Sequence, residues 1–321
     1  MKGAAPEASG GHRPAVREVV TAASAGQRID NFLMARLRGV PKSHIYRLLR
    51  SGQVRVDGGR AKPDRRLVEG QSVRIPPLRM AARDTRVTHV PAGLIARLHE
   101  GVVHEDDDYL ALTKPAGIAA HAGSGIAFGV IEALRTEGRY PFLELAHRLD
   151  RDTSGILLLA KTRQALLRAQ AAFRTGLARK RYRALLCGRL EEVRDVDAPL
   201  VSNRLVSGER RVQVDEGGRR AASRFTPREV FADATLCEVA IFSGRTHQIR
   251  VHALTIGHPV VGDRKYGERG QHAPFRELGL KRMFLHASSL ELPATGAFAP
   301  LTLNSALPPE LRSFLDALRA R

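Results

Sequence analysis

HRLDRDTSGILLLAKT, residues 147–162, is the stretch from which the rest of the chain can be read. It opens on a polar cluster, His147, Arg148 and Asp150 around Leu149. It passes through Arg151, Asp152, Thr153, Ser154 and Gly155, and ends in the apolar run Ile156, Leu157, Leu158, Leu159 and Ala160. Such a run, bounded by a glycine and followed by a helical pattern, predicts a buried strand. Acidic and basic side chains therefore sit in a loop clamped to the core, where catalytic groups are often carried. The plainer reading is an Arg–Asp ion pair that fixes a surface loop, and this stretch alone leaves both open. Beyond it, Thr162 is placed to cap a helix running to about Thr175, which Gly176 stops.

The chain has 321 residues, 43% of them hydrophobic, enough for one large domain and a small one. It carries 52 Lys and Arg against 33 Asp and Glu, a net charge of +19. That balance favours a polyanionic partner, most often nucleic acid. The alternative is an Arg-rich composition inherited from a GC-rich genome. Only two cysteines occur, Cys187 and Cys237, far apart. They give no disulfide framework and no zinc knuckle, and fit a reducing cytoplasm. No apolar run reaches the ~18 residues of a membrane span, and the N-terminus lacks a signal-peptide core.

Residues 1–25 are rich in Gly, Ala, Pro and Ser and read as a disordered tail. From there Ile29, Phe32, Leu33 and Leu37 recur at helical spacing. Ile45, Leu48 and Leu49 mark a second helix opening near Ser43, with Arg47 and Arg50 pointing away and Gly52 at its end. Val54 and Val56 alternate as a strand, residues 57–59 turn, and Val73 and Ile75 alternate again. Between residues 26 and 76 stand twelve Arg and Lys against four acids, so this short piece carries +8 of the +19. That excess suits a phosphate-binding face, with Arg28, Lys42, Arg47, Arg50 and Lys62 as expected RNA contacts. The segment IDNFLMARLRGVPKSHIYRLLRSGQVRVDGGR resembles the S4-like RNA-binding domain, in which two short helices and a small sheet present basic residues to structured RNA.

Pro76 and Pro77 close this domain, and 77–101 reads as a basic, irregular linker. Asp106, Asp107 and Asp108 read as a turn before a strand at Tyr109–Thr113; no ligand spacing accompanies them. ARKRYRALLCG, residues 178–188, reads as a strand with Tyr182, Ala184 and Leu186 on one face. Tyr182 is either plain core or, beside four basic residues, a contact for a base. The Arg-rich segment 203–224 reads as a basic hairpin or a solvated loop. Residues 235–242 alternate as a strand, and RTHQIRVH, residues 245–252, opens a helix ended by Gly257. His247, His252 and His258 lack the spacing of a metal site, and capping and packing account for them.

HRLDRDTSG at 147–155, KRY at 180–182, SGRTHQIRVHA at 243–253 and FLHASSLEL at 284–292 occur in this order. Together they resemble the RluA-type family of pseudouridine synthases, over roughly residues 26–321. Thr113 departs from the Asp or Asn that the family commonly has before Lys-Pro. The resemblance implies an α+β fold: a mixed, mostly antiparallel sheet with flanking helices over 102–321, preceded by the S4-like domain at 26–76. It implies uridine isomerisation in RNA, with 23S ribosomal RNA as the partner and no metal or cofactor; the chain itself is expected to be a cytoplasmic monomer with no membrane partner. Residue by residue, Asp150 matches the catalytic aspartate, and Arg250 the arginine that pairs with it and keeps it ionised. Tyr182 matches the tyrosine that packs on the target uracil; removal of the C5 proton is a further role open to it. Arg148 matches the residue that fills the gap left by the extruded base. Arg245 is expected on the RNA. Two other classes stay in view, a non-catalytic RNA-binding assembly factor on the same fold and a metal-dependent nuclease using residues 106–108. Asp150, Tyr182 and Arg250 occurring together argue against the first.

Overall fold

The computed structural model describes residues 12–37, 40–79, 90–123, 126, 128–204, 210–268 and 270–321. The chain divides into two compact units, Met1–His89 and Val90–Arg321.

In the first unit, helices Ile29–Arg36 and Lys42–Arg50 pack on a four-stranded sheet. The strand order is Val16–Val19, Ser72–Ile75, Arg55–Val56, Gly59–Arg60. Ile29, Phe32, Leu33, Ile45, Leu48, Leu49, Val73 and Ile75 form its core, none more than 3% exposed. The helical spacing seen in the sequence is what puts these side chains on one face. Asp57 and Gly58 both take positive φ, +50° and +78°, as a two-residue hairpin turn that follows the strand twist requires.

Two expectations about boundaries change. Residues 1–25 are not a tail throughout: Val16–Val19 pairs antiparallel with Ser72–Ile75, and Ala22–Ser24 is a 3-10 turn. VREV offers too few apolar residues to announce itself, because an edge strand needs only one covered face. Residues 1–11 of that expected tail lie outside the described residues. Within the expected linker at 77–101, Leu78–Arg79 pairs with His12–Arg13, and Ala92–Glu100 is a helix that buries Leu94 and Leu98. Pro91 is the N-cap residue of this helix, where its missing N–H costs no helical bond.

The second unit is built on a ten-stranded sheet. Its path runs Arg194–Asp197, Ala222–Val230, Ala234–Ile241, Arg179–Cys187, Leu285–Leu292, Ser154–Ala160, Tyr109–Lys114, Val102–Glu105. Leu301–Asn304 pairs with Leu285–Leu292, and Glu144–Leu145 with Ser154–Ala160. All pairings are antiparallel except Ser154–Ala160 with Leu285–Leu292, so the sheet is mixed and mostly antiparallel, as expected. Leu157 and Leu159 face one core, with Tyr182, Ala184 and Leu186. Ile156, Leu158 and Ala160 face another, against Ala165, Leu166 and Ala169 of the helix Arg163–Thr175. A strand covered on both faces has no polar side, which is why its sequence reads as an unbroken apolar run. Each of its three leucines is fully buried, a gain of about 2 kcal/mol apiece from the water-exposed state.

Thr162 caps the helix that follows, its Oγ1 accepting from the N–H of Ala165, and Gly176 ends it in the left-handed conformation. Asp106 Oδ1 accepts from the N–H groups of Asp108 and Tyr109 and so builds the turn before Tyr109–Lys114. The basic segment after Pro199 is a hairpin of Leu200–Arg204 and Arg210–Val214. Gly155, the second residue of the central strand, has φ +112°; a Cβ there would lie 2.2 Å from the carbonyl oxygen of Ala287. Only glycine lets the two parallel strands approach this closely, and their approach fixes the loop that carries Asp150.

Candidate active site

Asp150 stands where two cavities meet. One, of about 630 Å³, is lined by Arg148, Asp150, Lys180, Tyr182, Phe242 and Arg245 among others. The other, of about 1050 Å³, is lined by Arg148, Asp150, Arg151, Arg250, Asp263 and Arg282 among others. The Asp150 side chain is 20% exposed, enough to meet a ligand. Its loop is held from below. The backbone N–H of Thr153 donates to Asp150 O, and Lys114, fully buried, donates through Nζ to the carbonyls of Pro115, Ile118 and Arg151. Burial pushes the Lys114 ammonium down to about 7, with Asp152 and Asp150 opposing. Asp152 itself makes an exposed pair with Arg151.

Tyr182 reaches the first cavity from the strand Arg179–Cys187. The pairing of that strand with Leu285–Leu292 slips between Arg181 and Tyr182, a bulge of the kind that re-aims a side chain. The ring is buried, and burial together with the charge of Asp150 raises the phenol pKa, so it stays protonated near neutral pH. Its neighbour Lys180 donates to Ser243 O at 2.8 Å; burial, then Arg245, push its pKa down to about 8.

Arg250 does not pair with Asp150 as expected. Its Nε and Nη2 donate to Asp263 at 2.6 and 2.7 Å, a bidentate pair with side chains 7% and 0% exposed. Asp263 also accepts from the N–H groups of Lys265 and Tyr266. Burial opposes the charge on both partners, yet the pair holds Asp263 below the usual carboxylate range and Arg250 above its ordinary value. Asp150 still adds to the field that keeps Arg250 charged. Geometry decides the partner: a planar guanidinium takes the carboxylate that offers both oxygens in its plane.

The loop that faces Asp150 is organised by Gln248, buried at the start of the helix Gln248–Thr255. Its Oε1 accepts from Ser243 Oγ and the N–H of Arg245; its Nε2 donates to Ala222 O and Ser223 Oγ. The helix thus begins at Gln248 rather than at Arg245. His147 accepts from the N–H of Leu158 through Nε2; burial, then Lys180, push its imidazole down to about 4. Arg148 is exposed, and its guanidinium makes no hydrogen bond or ion pair among the described residues.

Arg148, Asp150, Tyr182 and Arg245 therefore come together on the first cavity, and Arg148, Asp150 and Arg250 on the second. In the first unit, Lys42, Arg47 and Arg50 share the exposed face of their helix, and Lys62 is exposed. Arg28 is committed to buried Asp30, which also accepts from Tyr46. Sequence reasoning missed Lys114, Gln248 and Asp263, and assigned His247 to capping and packing. Asp263 sits in GDRKYG, a charged loop between glycines with no periodicity. Its only signal is an acid among cations.

The chain matches the RNA pseudouridylate synthase family over residues 108–255 and the S4 domain over residues 27–73. Ribosomal large subunit pseudouridine synthase C of Pasteurella multocida is 48% identical over 301 residues, covering 92% of this chain and 91% of that protein. The protein of the same name from Escherichia coli is 46% identical over 313 residues, covering 95% and 98%. Among solved structures, human RNA pseudouridylate synthase domain containing 4 superposes with a TM-score of 0.59 at 26% identity, covering 71% of this chain and 96% of that one. An S4 domain, an Asp-bearing loop on a mixed sheet and identity along both units lead to one conclusion: the chain belongs to the RNA pseudouridine synthase family.

Proposed function

We propose that this protein converts specific uridines of 23S ribosomal RNA to pseudouridine in the cytoplasm, with Asp150 acting on a flipped-out nucleotide. The observation that carries the reading is the position of Asp150, an accessible carboxylate between two cation-lined cavities with Tyr182 beside it. The relatives named for the large ribosomal subunit supply the substrate class.

The reaction breaks the N1–C1′ bond and forms C5–C1′; C5 gives up its proton and N1 gains one. A uracil inside a helix cannot offer its sugar carbon, so the nucleotide must leave the stack, at a cost of a few kcal/mol. Arg148, exposed at the cavity mouth and unpaired among the described residues, is suited to fill the gap by guanidinium stacking. Asp150 acts as the carboxylate, at the ring or at the sugar. Tyr182 is suited to pack its ring on the uracil. Lys42, Arg47, Arg50 and Lys62 bind RNA phosphates, with Arg28 presenting the free edge of its guanidinium and Arg245 serving at the cavity.

Asp150→Asn tests the reading. It should bind ribosomal RNA like the parent protein and release no tritium from C5-labelled uridine. Tritium release at the parent rate refutes the role of Asp150. Unchanged pseudouridine in 23S ribosomal RNA from a deletion strain refutes the substrate.

A further inference from the structure

The geometry points to His247 as a positioning residue that presents an Nε2–H to the Asp150 carboxylate, in a tautomer fixed by Tyr266. This rests on the reading of Asp150 given above. Three observations carry it.

First, His247 Nε2 lies 3.9 Å from Asp150 Oδ2, and both side chains are mostly covered, 16% and 20% exposed. That is longer than a hydrogen bond, but bonds of this kind commonly tighten when substrate closes a site. Second, the tautomer follows from donor counting. Tyr266 Oη accepts from the N–H of Val212 at 3.0 Å and lies 2.8 Å from His247 Nδ1. A phenol has one proton to give, and the backbone N–H can only donate. Among the described residues Nδ1 is the acceptor within reach of the Tyr266 hydroxyl proton; with the hydroxyl donating there, the single proton of a neutral imidazole sits on Nε2, facing Asp150. The ring is neutral because burial disfavours its charge more than Asp150 favours it. Third, His247 holds a left-handed backbone conformation, φ +55°, with the Gln248 network around it. A non-glycine residue there is strained, and such strain gathers where a side chain must be aimed.

The consequence is a chain of donors, Val212 N–H to Tyr266 to His247 to Asp150, which begins in the basic hairpin and ends at the carboxylate. Arg250 gives its Nε and Nη2 to Asp263 and makes no hydrogen bond to Asp150 among the described residues.

The test compares variants of the full-length enzyme on ribosomal RNA, with kcat and KM separated. His247→Gln keeps an N–H at the reach of Nε2. His247→Asn suits the left-handed backbone and keeps an acceptor for Tyr266, but its side chain is too short for Asp150. Expected are near-parental kcat for H247Q, and about a 10- to 100-fold loss of kcat with unchanged KM for H247N, the worth of one hydrogen bond to a charged group. Tyr266→Phe, which leaves Nδ1 without its donor, should lower kcat in the same direction. Equal kcat for H247N and H247Q overturns the proposal. Asp150→Asn is run alongside. If it stays active, the reading of Asp150 has failed; if it is inactive while H247N matches the parent, only the role of His247 has.

Discussion

Asp263→Ala is the substitution whose cost the structure fixes most closely. It removes both acceptors of the Arg250 guanidinium, at 2.6 and 2.7 Å, and the acceptor of the N–H groups of Lys265 and Tyr266. Arg250 is only 6% exposed, so its guanidinium is left largely desolvated and without the carboxylate that balances its charge. Leaving one member of a buried ion pair alone costs about 3–5 kcal/mol. For a unit of this size that is a large share of its stability. Urea unfolding of the intact protein measures it, followed by far-ultraviolet circular dichroism because the chain has no tryptophan. The transition of the larger unit should move to lower urea, with no change in the transition of the S4 unit. The double variant Arg250→Met with Asp263→Leu should regain most of the loss, because an apolar pair of similar volume leaves no buried charge. It should not regain activity, since the cation near Asp150 is gone. A loss below about 1 kcal/mol for Asp263→Ala alone would refute the reasoning; so would parental turnover in the double variant.

Gly155→Ala should destabilise the larger unit by about 3 kcal/mol or more, because the strained φ and the clash with Ala287 O act together; a melting temperature equal to the parent's counts against it. Lys42→Ala, Arg47→Ala and Arg50→Ala combined should weaken RNA binding and reduce the slope of log affinity against log salt by about 2–3, at roughly 0.7–0.9 for each phosphate no longer neutralised; an unchanged slope removes that helix face from the RNA. Burial first, then the nearby Arg282, hold the His286 imidazole at about 4, against Ser154 Oγ and Ser305 O. Its folded pKa lies below the ordinary 6.5, so its stabilising contribution is full above pH 6.5 and is lost as pH falls towards 4. From pH 7 to 5 this costs about 2 kcal/mol, and the drop in urea midpoint over that range should shrink in His286→Gln.

Much of the fold was legible in the order of residues. The run at 156–160 is apolar throughout because both faces of its strand are covered. The Thr162 cap and the Gly176 stop bound their helix at the residues expected. Helical spacing in the small domain picked out its core. Boundaries were less legible where a segment buries little. Val16–Val19 is an edge strand and Ala92–Glu100 a short helix that buries Leu94 and Leu98, and neither carries enough periodicity to stand out from Gly- and Pro-rich surroundings.

At the site, the sequence alone determined which chemical groups are present: a carboxylate at 150 in a clamped loop, an aromatic at 182 among cations, an arginine at 250 and a strongly basic first domain. Local order is enough for these, since each lies within a motif only a few residues long. The tertiary structure alone decided who pairs with whom. Arg250 is one hundred positions from Asp150 and thirteen from Asp263, and nothing in spacing ranks the two carboxylates. What ranks them is that Asp263 is fully buried, accepts from the guanidinium with both of its oxygens and is steadied by two backbone N–H groups. The same holds for His247. Its neighbours in sequence suggested a cap, whereas the orientation of its proton depends on a phenol nineteen residues away and on a backbone N–H from another hairpin. Hydrogen-bond direction is a property of three-dimensional neighbours, and a linear pattern does not carry it.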